Sequence, residues 1–126
     1  MRAAVYHGPY EIHVEERPDP DPARAVVIRV EACGICGSDI KVYTGRSPRV
    51  SPPRVLGHEV CGTVVWVPAE LRGVLTEGER VVVAPAMGCG RCRLCRAGRA
   101  NLCPDLQTLG MDMDGGFAGY VAVGPR

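Results

Sequence analysis

Cys89-Gly90-Arg91-Cys92-Arg93-Leu94-Cys95 sets three thiols at two-residue intervals, and Cys103 follows. A Cys-x-x-Cys turn aims two thiolates at one centre, and overlapping two such turns supplies three. Cys103 can then close a tetrahedral shell of sulfurs about 2.3 Å from a zinc ion. Arg91, Arg93, Arg96 and Arg99 stand beside these cysteines and are expected to favour the thiolate form. With every position filled by sulfur, no place is left for a substrate, so this zinc is expected to be structural. The competing readings are a solvated basic loop with free thiols and a disulfide-linked loop. Zinc is preferred because residues 87–104 show no hydrophobic periodicity, so something other than an apolar core must order them.

A second constellation mixes ligand types. Cys33-Gly34-Ile35-Cys36-Gly37-Ser38-Asp39 and Gly57-His58-Glu59 bring together cysteine, histidine and carboxylate, the set that catalytic zinc uses with a position left open. Ser38 is near enough to Cys36 to place a hydroxyl beside a reacting oxygen. Asp39 can receive the second ring proton of His58 and so fix its tautomer. Spacing alone allows a rival in which Cys33, Cys36, His58 and Cys61 form a closed Cys3His knuckle, a second structural zinc. It also allows buried free thiols at Cys33 and Cys61 with an ordinary core histidine at His58. His7 and His13 carry no motif and read as strand or surface residues.

The elements that position these groups are mostly strands. A chain of 126 residues suits one domain, and Gly (16) and Pro (11) favour short strands and many turns. With 46% hydrophobic and 23% charged residues and a mean hydropathy of +0.02, disorder, collagen and a membrane span are excluded. A net charge of +1 and few aromatics argue against nucleic acid, and nothing in the charge balance points to a membrane. An odd cysteine count, seven, and no visible export signal point to a reducing, cytoplasmic setting rather than a disulfide framework.

Segments 4–6 and 11–14 read as an opening hairpin around Gly8-Pro9, followed by a proline-rich connector over 17–22. The spacing predicts a strand over 25–32, with Val26, Ile28 and Val30 inward and Val27, Arg29 and Glu31 outward. A brief helix over 38–43 follows, with Ser38 as N-cap and Asp39 in its first turn. Further strands are expected over 60–67, interrupted at Gly62, over 80–85 and over 117–123.

Cys36-Gly37-Ser38-Asp39, Gly57-His58-Glu59, the Cys89/Cys92/Cys95/Cys103 lobe and Asp114-Gly115-Gly116-Phe117-Ala118-Gly119-Tyr120-Val121 together resemble the zinc-dependent medium-chain alcohol dehydrogenases. The branch containing threonine, sorbitol and other polyol dehydrogenases is the most similar. The resemblance covers essentially all 126 residues. It implies a mostly β, GroES-like barrel with short helices and a cysteine-rich zinc lobe at 87–104, serving as the catalytic domain. It also implies that Cys36 and His58 ligate an open catalytic zinc, with Glu59 as a third ligand or just behind one, and Asp39 supporting from the second layer. Ser38 would hydrogen-bond the substrate oxygen and begin a proton relay, while Cys33 and Cys61 become small buried residues. In such enzymes zinc lowers the pKa of a small alcohol or polyol and a hydride passes to NAD or NADP.

Three departures qualify what is carried over. Lys41 stands where many relatives have a relay histidine, and Gly119 where they often have glutamate. No Gly-x-Gly-x-x-Gly occurs, so the Rossmann dinucleotide domain is absent from this chain, and so is the last family ligand to the catalytic zinc. The expectation is therefore the catalytic-domain portion of an alcohol or polyol dehydrogenase, inactive alone, ending at Gly124-Pro125-Arg126 on a domain edge. Its partners would be the alcohol substrate and the missing Rossmann domain, and the resemblance also allows a homo-oligomer, since relatives associate largely through that domain. The alternative is a non-catalytic two-zinc β module that binds a partner or serves a structural role.

Overall fold

The computed structural model describes residues 1–124, so the expected domain edge at Pro125 and Arg126 lies outside the described residues. Its centre is the antiparallel pair of β3 (Val26–Gly34) and β5 (Glu59–Trp66). Both strands are rich in valine, whose branched side chain packs well on a pleated surface. The register runs from Val27 opposite Trp66 to Gly34 opposite Glu59. That pairing is what gathers the candidate ligands, because Cys36 follows the end of one strand and His58 precedes the start of the other. β6 (Arg80–Val82) and β9 (Tyr120–Val123) complete a four-stranded sheet in the order β6-β5-β3-β9. Val26, Ile28, Val60, Val64, Val83, Leu109 and Val121 form the core on its inner face.

Several local expectations need correction: β6 ends at Val82, short of residue 85, and β9 begins at Tyr120, not at residue 117. Gly62 does not interrupt its strand: β5 runs through it. A Cβ there would lie 2.1 Å from the Arg29 carbonyl oxygen, so glycine lets the partner strand pass close beside the register shift between Val30 and Ala32. The outward face of β3 is also less wet than alternation predicts. Val27 is buried, because Pro20, Pro22, Trp66 and Tyr120 surround a groove over that face. The Trp66 indole N–H donates to the Pro22 carbonyl at 2.9 Å, tying the proline-rich connector down.

The opening hairpin forms as expected, with β1 (Arg2–Gly8) antiparallel to β2 (Glu11–Glu16). β1 also pairs with the short β4 (Arg54–Val55), giving the order β2-β1-β4. The two sheets meet where Ala3 bridges Ala118 and the Ala4 amide donates to the Phe117 carbonyl at 2.8 Å. Tyr6, Val42, Val50 and Leu56 fill one side of this junction, and Ala3, Val5 and Val55 the other.

The cysteine-rich excursion is closed at its base by β7 (Ala86–Met87) pairing with β8 (Gln107–Thr108). Inside are a single helical turn, α2 (Arg93–Arg96), and a 3-10 turn (Ala100–Leu102). Its buried members are Cys89 and Cys103, while Leu102 is exposed. The lobe thus lacks an apolar core, and its thiols are the groups left to cross-link it. Among the described residues, no helix is long and apolar enough to cross a membrane.

Candidate metal centres

A short helix, α1 (Gly37–Tyr43), carries the chemistry that follows β3. Its N-cap is Cys36, not Ser38. Asp39 stands at the third helical position and its Oδ2 accepts from the Cys36 backbone N–H at 2.8 Å, satisfying a donor at the helix start. Because the carboxylate rather than the hydroxyl does the capping, Ser38 is free to turn towards His58, and its Oγ lies 3.4 Å from Nε2. The other oxygen of Asp39 faces His58 Nδ1 across 3.6 Å. Asp39 and His58 are both buried, and His58 Nδ1 makes no hydrogen bond. A buried ring nitrogen with a carboxylate as its nearest charged neighbour is the arrangement that fixes a ligating imidazole's tautomer.

Glu59 arrives from the start of β5 and folds over Gly34, its strand partner. A Cβ on Gly34 would come within 2.3 Å of Glu59 Oε2, so only glycine leaves room for the carboxylate. One ligand atom from each of Cys36, His58 and Glu59 lies within 4.8 Å of the others. A thiolate, an imidazole and a carboxylate at that separation fit a zinc ion, and three protein ligands leave a coordination position open.

Cys33 and Cys61 do not join this group. Cys33 Sγ points instead towards Gly57 and Gly116, 2.8 and 3.1 Å from where their Cβ atoms would sit. Burial, the largest cause, pushes its thiol pKa up. Cys61 lies in the sheet between Ala32 and Val82. The closed Cys3His knuckle is therefore not what the described residues form. His7 and His13 sit on the opening hairpin, paired with Glu15 and Glu11.

In the lobe, Cys89, Cys92, Cys95 and Cys103 bring their sulfurs within 4.8 Å of one another. All are free thiols, and Cys92 and Cys103 Sγ lie 3.9 Å apart, far beyond a disulfide bond. Backbone amides hold the sulfurs in place: the Cys89 N–H donates to Cys103 Sγ at 3.3 Å and the Cys95 N–H to Cys92 Sγ at 3.4 Å. Backbone N–H groups of Arg91 and Cys92 lower the Cys89 thiol to about 6. Desolvation, then the hydrogen bond with Cys92, pushes Cys95 up to about 12. For Cys89 the backbone amides are the leading cause of the lowered thiol. Four sulfurs held this close together repel one another as thiolates, so the cluster as a whole gains from a cation that neutralises them.

Sequence reasoning missed the glycines that make both approaches possible. Gly34 clears Glu59, and Gly57, just ahead of His58, adopts a φ of 91° that glycine tolerates. Their signal was present in the Cys33-Gly34 and Gly57-His58-Glu59 motifs, which were read only for their ligand residues.

Residues 22–126 match the family model described as the alcohol dehydrogenase GroES-like domain. Among curated proteins, sorbitol dehydrogenase of Bacillus subtilis strain 168 is 44% identical over 126 residues, covering 96% of this chain and 35% of that protein. L-galactonate-5-dehydrogenase of Escherichia coli K12 is 36% identical over 124 residues, covering 98% of this chain and 36% of that protein. An alcohol dehydrogenase structure from Escherichia coli CFT073, solved with NADH, superposes with a TM-score of 0.88 at 38% identity, covering 98% of this chain and 36% of that one. The chain thus spans about a third of the length of the curated relatives it matches. With matching motifs, fold and ligand clusters, the chain belongs to the zinc-dependent medium-chain alcohol dehydrogenase family, of which it carries the GroES-like domain.

Proposed function

We propose that this chain is the metal-holding catalytic portion of a dehydrogenase that oxidises a primary or secondary alcohol, of polyol type, with NAD or NADP. The observation that carries this reading is the open cluster of Cys36, His58 and Glu59, with Ser38 Oγ 3.4 Å from His58 Nε2. Cys89, Cys92, Cys95 and Cys103 would hold a structural zinc, and Cys36, His58 and Glu59 a catalytic one. Zinc in the open site would supply Lewis acidity that lowers the pKa of an alcohol hydroxyl.

The chain's own residues have distinct tasks around that chemistry. Ser38 accepts the proton leaving the substrate hydroxyl and passes it on, its position set by the first turn of α1. Asp39 holds the Cys36 amide and orients the His58 ring. Lys41 is exposed on the same helix, so the proton continues to water rather than to a buried histidine. Ile35 and Ile40 stand 72% and 46% exposed beside these polar groups. Large apolar side chains next to a reactive cluster suit a surface that further polypeptide covers. That polypeptide would be the dinucleotide-binding domain, which binds the cofactor. The chain alone is then inactive, and its free thiols suit the reducing cytoplasm.

The test is zinc per chain during chelator titration of the wild type, Cys36→Ser and Cys95→Ser proteins. The wild type should hold one resistant and one labile zinc. Cys36→Ser should lose only the labile one, and Cys95→Ser the resistant one. Full zinc content in Cys36→Ser would remove the open site.

A further inference from the structure

We infer that residues 109–117 act as a strut that positions His58, with Gly115 its contact residue and Asp114 its anchor. The inference rests on reading Cys36, His58 and Glu59 as a metal site. The peptide at Gly57 is pressed between glycines. A Cβ on Gly110 would lie 2.8 Å from both Gly57 N and Gly57 O, and one on Gly115 2.1 Å from Gly57 O and 2.6 Å from Leu56 O. Backbone therefore packs on backbone, with no side chain between to absorb a shift.

Hydrogen bonds lock the same contact. The Gly115 amide donates to Val55 O at 2.8 Å, Gly116 to Gly57 O at 2.9 Å and Phe117 to Leu56 O at 3.0 Å. Asp114 Oδ1 accepts from the Val55 amide at 3.1 Å and from Arg54 Nη1 at 3.3 Å. The three residues before His58 thus take their course from a segment more than fifty positions away. At its other end the strut is rooted at the base of the cysteine lobe. The Leu109 amide donates to Pro85 O at 2.9 Å, and the Leu109 side chain is fully buried. Arg49 reaches Thr108 and Asp112 at 2.9 and 3.0 Å, bracing the turn between.

A ligand imidazole displaced by a fraction of an ångström loses alignment with its metal, and groups that merely orient such ligands are worth about 10–100-fold in metal affinity. The hydrogen bonds and closest approaches of Gly115 and Asp114 are with Arg54, Val55, Leu56, Gly57 and Gly110 and with none of Cys36, His58 and Glu59, so they are positioning residues. The experiment is cobalt(II) titration of the metal-stripped chain, following the intense thiolate absorption of the lobe and the weaker bands of the mixed site separately. Gly115→Ala should bind lobe cobalt as the wild type does, while the Kd of the second cobalt rises at least ~10-fold. Asp114→Asn should shift it the same way by less. Gly119→Ala, whose new Cβ would meet nothing closer than 3.8 Å, should leave both sites unchanged.

An unaltered second Kd in Gly115→Ala overturns the inference, as does an equal loss in Gly119→Ala. Should Gly115→Ala fail to fold, Asp114→Asn decides: a weakened second site beside an intact lobe supports the strut, and an unchanged one refutes it. If the wild type takes a single cobalt, the metal reading of Cys36, His58 and Glu59 fails, and the strut is judged by the His58 ring resonances in the lobe-loaded protein. Those should move in Gly115→Ala, and their constancy would overturn it.

Discussion

Replacing Gly34 by alanine separates ligand geometry from stability. The new Cβ would lie 2.3 Å from Glu59 Oε2, 3.1 Å from Glu59 Cβ and 3.3 Å from Glu59 Cδ. Ordinary contact begins near 3.4 Å, so the oxygen must retreat by about 1.1 Å, the difference between 3.4 and 2.3 Å. Oε2 and Cδ belong to an exposed, flexible side chain that can swing into solvent at little cost, while the 3.1 Å approach to Glu59 Cβ, which rotation cannot move, needs a shift of only a few tenths of an ångström between the strands. Gly34 does not lie in the left-handed region, so alanine also gains about 0.4–1 kcal/mol by restricting the unfolded chain. The two effects nearly cancel, and Tm of the metal-free protein should change by less than about 4 °C. Swinging Glu59 away removes a ligand, and affinity at the mixed site should fall at least ~10-fold, about 1.4 kcal/mol. Thermal unfolding by circular dichroism and competition with a chromophoric chelator measure the two quantities. Gly62→Ala is the contrast, because its Cβ would meet the Arg29 carbonyl at 2.1 Å and backbone cannot swing aside. A Gly34→Ala protein with wild-type affinity would show that Glu59 is a bystander, and a large fall in Tm would refute the packing argument.

Two further predictions concern residues outside the mixed site. Cys33→Ala should leave zinc content unchanged, since Cys33 Sγ points at Gly57 and Gly116, and should cost about 1 kcal/mol of stability from lost packing; loss of a zinc would restore the closed knuckle. The Glu31 carboxyl is held below its usual range chiefly by the Thr63 hydroxyl, with Arg80 and Arg29 adding to the effect. A carboxyl so lowered adds stability above its unfolded pKa and loses it as pH falls through the folded one. The Tm advantage of wild type over Thr63→Val should therefore be present at neutral pH and shrink below about pH 4.5, and an advantage that persists or grows in acid would contradict the pairing.

The opening hairpin, the strand at β3 and the cysteine lobe were legible because each is set by local pattern: alternation, turn residues and thiol spacing. The family resemblance added the ligand set of the mixed site, which spacing alone left divided between an open site and a closed knuckle. Local pattern failed where strands come close. Gly62 reads as a break in any single-strand view, yet it is the residue that admits the Arg29 carbonyl. Ser38 reads as the better cap beside Cys36, yet Asp39, reaching back from the third helical position, satisfies the Cys36 amide.

Local pattern along the chain specifies which atoms are available for metal chemistry: three thiols at two-residue intervals with a fourth at Cys103, and a cysteine, a histidine and a glutamate at the ends of a strand pair. Tertiary structure decided which of them meet. The antiparallel register places Gly34 opposite Glu59, bringing Cys36 to His58 and turning Cys33 towards the glycines of residues 57 and 116. Side-chain direction alternates along a strand, and its absolute sense is set only by the partner strand and by the backbone that packs against it.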